Sequence, residues 1–262
     1  MLIDTHCHLD AVEFDGDRDT VIGAAMAAGV SAIIVPSVHP GNFGAVRQCS
    51  ARYATCSPAY GIHPLYVDRA GDDFLAQLRR HLETELAGTH PPVAIGEIGL
   101  DFFVPGIDVE RQECVFVEQL RIARDFDLPV LLHVRRAVDA VLKQLRRYRV
   151  PGGIAHAFNG SRQQAEEFIR LGFRLGFGGA MTYPRATRLR ELAASLPLEA
   201  IVLETDAPDI PPAWLAGRRN QPGELVRIAG ELAALRGVEV SDVAKATTQN
   251  VRVLFPQLAV LE

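Results

Sequence analysis

From Val130 to His156 the chain reads V-L-L-H-V-R-R-A-V-D-A-V-L-K-Q-L-R-R-Y-R-V-P-G-G-I-A-H. It opens on a continuous apolar run, Val130–His133, passes through a segment of helical character, Ala137–Arg147, and closes on a second short run, Gly153–His156. Neither run alternates apolar with polar residues, as a strand with one wet face does. Both suit a parallel strand covered on its two faces. The stretch is a strand–helix–strand unit, and each strand ends on a histidine.

The same unit recurs in both directions. Further strand candidates are Leu2–His6, Ala32–Pro36, Ser57–Gly61, Val93–Glu97, Arg174–Gly178 and Ile201–Thr205. Helical stretches lie at Phe74–Leu86, Glu110–Phe126, Ser161–Leu171 with Ser161 as its N-cap, about Glu224–Arg236 and Ser241–Leu254. Gly29, Gly88 and Gly172 stand where helices stop. Eight alternations with no linker, low-complexity run or sequence repeat predict one α/β domain over residues 1–262, folded as a (β/α)8 TIM barrel. An open doubly wound sheet is the alternative. It usually has fewer strands and a glycine-rich turn after the first, and no G-x-G-x-x-G follows Leu2–His6.

Composition fits that size. The 262 residues are 48% hydrophobic and 23% charged, with a formal net charge of −5, which excludes disorder, collagen-like repeats and a disulfide miniprotein. Cys7, Cys49, Cys56 and Cys114 form no C-x-x-C and read as reduced thiols. The opening residues carry no secretory signal pattern, so a cytoplasmic location is expected. Val21 to Val38 is uncharged, but Gly29, Ser31 and Pro36 break it. It reads as a buried helix turning into a buried strand, and no membrane is involved.

Polar residues collect where strands end. In a barrel these ends surround one mouth, from which catalytic groups are drawn. Strand one ends in His6-Cys7-His8, and strand three runs into His63. Strands four, five and six end at Glu97, His133 and His156, and strand eight runs into Asp206. Side chains alternate along a strand, so His6 and His8 share a face while Cys7 points away. Asp4 shares that face and is positioned to fix one of the rings. His6, His8 and Asp206 make one cation position, because strand eight closes on strand one. His133 and His156 make a second, with Glu97 bridging the two. Asp206 is the expected proton acceptor from the attacking water.

Six segments resemble the TatD-type hydrolases, metal-dependent nucleases of the amidohydrolase-like barrel superfamily. They are D-T-H-C-H-L-D (Asp4–Asp10), G-I-H-P (Gly61–Pro64), G-E-I-G-L-D (Gly96–Asp101), L-H-V (Leu132–Val134), H-A-F-N-G (His156–Gly160) and E-T-D-A-P (Glu204–Pro208). The resemblance implies a two-metal barrel hydrolase with His6, His8, Glu97, His133, His156 and Asp206 as ligands. It further implies that His63 contacts a substrate phosphate and that Glu204 supports the metal shell. Asp209 departs from the family's form of that last segment and brings a negative charge near the mouth. Asp101 stands open between a supporting role and a helix start.

The expected activity is therefore ester hydrolysis by a divalent-metal phosphodiesterase, a deoxyribonuclease of the 3′-end exonuclease type, with Glu97 and Asp206 as its catalytic carboxylates. Its two ions are expected to be Zn, Mn or Mg, because imidazoles favour the softer ions while shared carboxylates admit magnesium. The expected substrate is single-stranded DNA or a nucleotide 3′ end, and no obligate protein partner is evident. Arg135, Arg136, Arg185, Arg218 and Arg219 follow strand ends and are expected to form a positive rim. The same metals would also serve a hydrolase of small amides, lactones or phosphotriesters, or a binding scaffold without turnover.

Overall fold

Eight parallel strands make one sheet in chain order, curled into a nearly closed barrel. They are β1 (Leu2–Asp4), β2 (Val30–Pro36), β3 (Cys56–Tyr60), β4 (Ala94–Asp101), β5 (Val130–Arg135), β6 (Gly153–Ala155), β7 (Phe173–Phe177) and β8 (Ile201–Leu203). The computed structural model describes residues 1–69, 71 and 73–258. Each of the eight expected strands is present, and the expected TIM barrel forms as a single domain.

Closure between β8 and β1 runs just beyond the two strands. The Thr5 N–H donates to the Leu203 carbonyl at 3.1 Å and the Asp206 N–H to the His6 carbonyl at 2.8 Å. Asp4 locks this seam. Its carboxylate accepts from the Thr205 N–H (2.9 Å), the Thr205 hydroxyl (2.5 Å) and the His6 N–H (3.3 Å). The expectation that Asp4 fixes an imidazole is corrected here. Asp4 holds backbone across the closure, because the chain turns out of extended geometry after residue 4.

Helices α1 (Arg18–Ala28), α2 (Phe43–Arg52), α3 (Phe74–Leu86), α4 (Val109–Asp125), α5 (Val138–Arg147), α6 (Arg162–Arg170), α7 (Thr187–Ser195), α8 (Leu225–Arg236) and α9 (Val240–Leu254) surround the sheet. Ser161 caps α6 in a reciprocal capping box with Gln164. Gly29 ends α1 in the left-handed region at φ +106°. Helix α1 buries only Val21, Ile22 and Ala25, so it is half exposed, while β2 is buried throughout. Helices α2 and α7 lie outside the expected helical stretches; they bury Phe43, Val46, Cys49 and Ser50, and Leu192 and Ala193, respectively. Among the described residues no helix is long and apolar enough to cross a membrane.

Two apolar layers result. The larger lies between sheet and helices, and the smaller fills the barrel with Ile3, Ile34, Leu131, Ile154 and Val202. Phe255 and Leu258, just after α9, complete the inner layer, and Asn250 of α9 donates to the Leu198 and Ile201 carbonyls. The chain thus stoppers one end of its own barrel and leaves the other open. Phe255 is 1% exposed. Phe255→Ala is expected to destabilise the fold by about 3–5 kcal/mol, measured by urea unfolding. A loss below about 1 kcal/mol would show that the end of the barrel closes without it.

Candidate metal centre

Strand β4 delivers the central carboxylate. Its pairing with β5 shifts register between Ile95 and Ile98, and such an irregularity re-aims the side chains around it. Glu97 emerges 2% exposed, its N–H donating to the Ser37 carbonyl at the end of β2. Gly99 makes the pairing beyond the shift feasible. At φ +146° any Cβ there would stand 2.0 Å from the His133 carbonyl oxygen, so β4 can lie this close to β5 only without a side chain.

The two Glu97 oxygens face different histidines. Oε2 lies 3.2 Å from His6 Nε2 and 3.5 Å from His8 Nε2. Oε1 lies 2.9 Å from His133 Nδ1 and 3.7 Å from His63 Nε2. Asp206 Oδ1 is 3.7 Å from the Nε2 atoms of His6, His8 and His156 alike. All seven residues expected to form the site meet here. Their grouping differs from the expected one. His156 stacks on His6, with ring centroids 3.7 Å apart, and turns Nε2 to Asp206, whereas His63 joins Glu97 and His133. His63 also accepts the Leu65 N–H through Nδ1, so it fixes the Pro64 turn as well.

These donors fit divalent cations. His6 and His8 bring their Nε2 atoms within 3.3 Å of each other. Ligands bonded at about 2.0–2.1 Å to one tetrahedral ion stand about 3.3–3.4 Å apart, which is the spacing of that nitrogen pair and of Glu97 Oε2. Among the described residues three sets of donors lie within coordinating reach: His6, His8 and Glu97; His6, His156 and Asp206; His63, Glu97 and His133. An imidazole- and carboxylate-rich set suits zinc or manganese.

Electrostatics divide the histidines. Burial disfavours a proton on all of them, and for His63 it wins, lowering the pKa to about 3. Burial and the neighbouring His156 lower His6 also. For His8 burial is outweighed by Glu97 and Asp206, raising it to about 9. His156 is likewise raised to about 10 by Glu204 and Asp206 against its burial. Glu97 is held well below the usual carboxylate range, because His6, His63 and His133 overcome the cost of burying it.

Two further acids hold rings from behind. Asp101 Oδ2 lies 3.1 Å from His133 Nε2, which settles its role as a support; Asp108 is the residue that caps α4. Glu204 Oε1 lies 3.1 Å from His156 Nδ1 and accepts the Ala157 N–H. Gly176 leaves room for it, since a Cβ there would stand 2.2 Å from Glu204 Oε2.

The cleft above has a volume of about 1140 Å³. Arg136, Ala157, Asp206 and Ile210 line it with positive φ, so left-handed backbone collects around this opening. Arg135 and Arg136 reach the cleft as expected, together with Arg188. Arg219 does not, because it pairs with Asp17, and Arg185 and Arg218 also lie outside the lining. Phe103, which nothing in the sequence singled out, lines the cleft, as does His39, whose loop position reads from sequence as a solvated surface histidine. For Phe103 the readable signal is its place two residues beyond a strand that ends in the mouth.

Residues 3–256 match the family model described as TatD related DNase. An Escherichia coli K12 protein named as an uncharacterized metal-dependent hydrolase, YjjV, is 42% identical over 97% of both chains. The crystal structure of that TatD homolog superposes with a TM-score of 0.93 at 41% identity, covering 97% of this chain and 98% of the other. A Klebsiella pneumoniae protein named 3′-5′ ssDNA/RNA exonuclease TatD is 34% identical over 97% of each chain. An organophosphorus hydrolase from Deinococcus radiodurans shares the fold, with a TM-score of 0.69 at 17% identity over 97% of this chain and 92% of the other.

The packing of Gly176 against Glu204 has a measurable consequence. Gly176→Ala and Glu204→Gln are each expected to weaken zinc binding about 10- to 100-fold, read by competition with a chromophoric chelator. Unchanged affinity in both variants would detach Glu204 from the centre.

Proposed function

The chain belongs to the TatD-related DNase family, and on that premise we propose that it is a two-metal phosphodiesterase that removes nucleotides from the end of single-stranded DNA. The observation that carries this is the buried carboxylate of Glu97, whose two oxygens face two separate groups of histidines. His6, His8 and Asp206 would hold one cation, His133 and His63 the other, and Glu97 would span them. His156 and Glu204 back the Asp206 side. The names of the YjjV and TatD relatives, a metal-dependent hydrolase and a 3′-5′ exonuclease, agree with this chemistry.

When bound, divalent cations supply Lewis-acid polarisation of the phosphoryl group and lower the pKa of the attacking water. The chain does the rest. Asp206 is 13% exposed through its side chain, so it reaches both the buried nitrogens and the cleft. Its carboxylate takes a proton from the water as the oxygen adds to phosphorus, and that proton passes to the departing sugar oxygen as the P–O bond breaks. Asp101 keeps the His133 ring oriented throughout. Closing strands and bulky neighbours keep His6 and Glu97 from bulk water, which strengthens their electrostatic hold.

Labelled single strands blocked at one or the other end test this directly. The metal-loaded protein is expected to shorten strands from an open end, to stop on chelation and to recover with zinc, manganese or magnesium. Asp206→Asn is expected to lower kcat about 10²–10⁴-fold with a smaller change in KM. Hydrolysis of small lactones, amides or phosphotriesters with intact DNA strands would move the substrate to that class. Full activity in Asp206→Asn would remove the proton-transfer role.

A further inference from the structure

The cleft is not electrically uniform, and its cationic arc contains an aromatic ring. Phe103 follows β4 and is 42% exposed, unusually open for a phenylalanine. Its loop is pinned from below, where Asp101 Oδ1 accepts the Phe103 N–H at 2.8 Å and the Val104 N–H at 3.4 Å. Two consecutive cations from the end of β5 lie against the ring. The Arg135 guanidinium carbon is 3.8 Å from its centroid and that of Arg136 4.6 Å. Arg135 has one carboxylate near it, Asp101 at 3.9 Å, and Arg136 has none within ion-pair distance among the described residues. Across the cleft the lining is acidic, with Asp10 and Glu13 after β1 and Asp209 after β8.

Each part of this arc matches one part of a nucleotide. Guanidiniums without full neutralisation attract phosphate, an exposed ring packs against a base, and stacking is indifferent to base identity. The acidic arc repels a continuing sugar-phosphate chain, so a polyanion leaves the cleft on the side away from Asp10, Glu13 and Asp209, where Arg135 and Arg136 flank Phe103 and Arg188 stands further round the rim. We propose that Phe103, Arg135 and Arg136 form a subsite for the polymer side of a single-stranded nucleic acid. A base packs on Phe103, and the phosphate beyond the scissile one lies against the two arginines. This rests on the nuclease reading above and adds the element that selects a strand over a lone phosphodiester. The acidic arc opposite explains why an end, and not an internal bond, would sit over the carboxylates.

A short strand and the same strand carrying abasic sites next to both terminal nucleotides distinguish the outcomes. For Phe103→Ala, KM on the intact strand is expected to rise about 10-fold with kcat changed less than about 2-fold. The abasic strand should give wild type the same penalty, with no further rise in the variant, while Phe103→Trp should restore binding. Replacing Arg135 and Arg136 together by Gln should flatten the salt dependence of KM. Anisotropy with a cleavage-resistant phosphorothioate strand on the zinc-loaded protein gives a readout independent of turnover. If wild type cleaves DNA and Phe103→Ala treats both strands as wild type does, the subsite is overturned and the nuclease stands. If wild type cleaves nothing yet its binding depends on Phe103 and the base, the subsite stands and the nuclease falls. If there is neither cleavage nor base-dependent binding, both fall.

Discussion

Closure of the barrel on the buried carboxylate of Asp4 is the constraint from which the remaining geometry follows. Asp4 lies 201 positions from Thr205 in sequence, yet accepts two hydrogen bonds from it and a third from the His6 backbone. Burial raises its pKa to about 7 against the pull of those bonds, so the seam is held by a group that would be costly to bury without them. His6 and His8 leave the seam on one side and Asp206 on the other. Their mutual distances are set by this closure before any ion is considered.

Around that seam the two ends of the barrel do different work. Apolar side chains fill the interior from the closed end, where Phe255 and Leu258 cover it. Toward the open end polar groups take over: the buried carboxylates of Glu97 and Glu204 pair with His133 and His156, and Asp101 backs His133. Such a cluster is stable only when its charges are matched, and the histidines pull Glu97 and Glu204 down while the carboxylates hold protons on His8 and His156. An arrangement of this kind, with left-handed backbone at Asp206, Ala157 and Arg136 around it, is built for ligands that bring positive charge of their own.

Much of this was legible without coordinates. Apolar runs showed eight strands because parallel strands in a barrel are covered on both faces, and the histidines and acids at their ends showed one mouth because equivalent ends of such strands must converge. The strand ends were less exact. Regular strand ends one or two residues short of His6 and His156, although single backbone bonds continue the pairing, whereas β4 and β5 run on past Glu97 to Asp101 and past His133 to Arg135. Helices α2 and α7 were less legible because small or polar residues, Cys49, Ser50 and Ala193, make up much of their buried faces.

By itself the sequence determined the barrel, the order of its strands and the side chains that reach the mouth, since these depend on local apolar patterning and on the alternation of side chains along a strand. Only the tertiary structure decided which donors face which. His156 sits with His6 and Asp206, His63 with Glu97 and His133, and Asp4 serves the backbone rather than a ring. The tertiary structure also ties Arg219 to Asp17 while leaving Arg135 and Arg136 at the cleft. The reason is physical. Distances of 3 to 4 Å between side chains from dozens to two hundred residues apart are fixed by register, seam and backbone twist, and none of these is written in the spacing of residues along one segment.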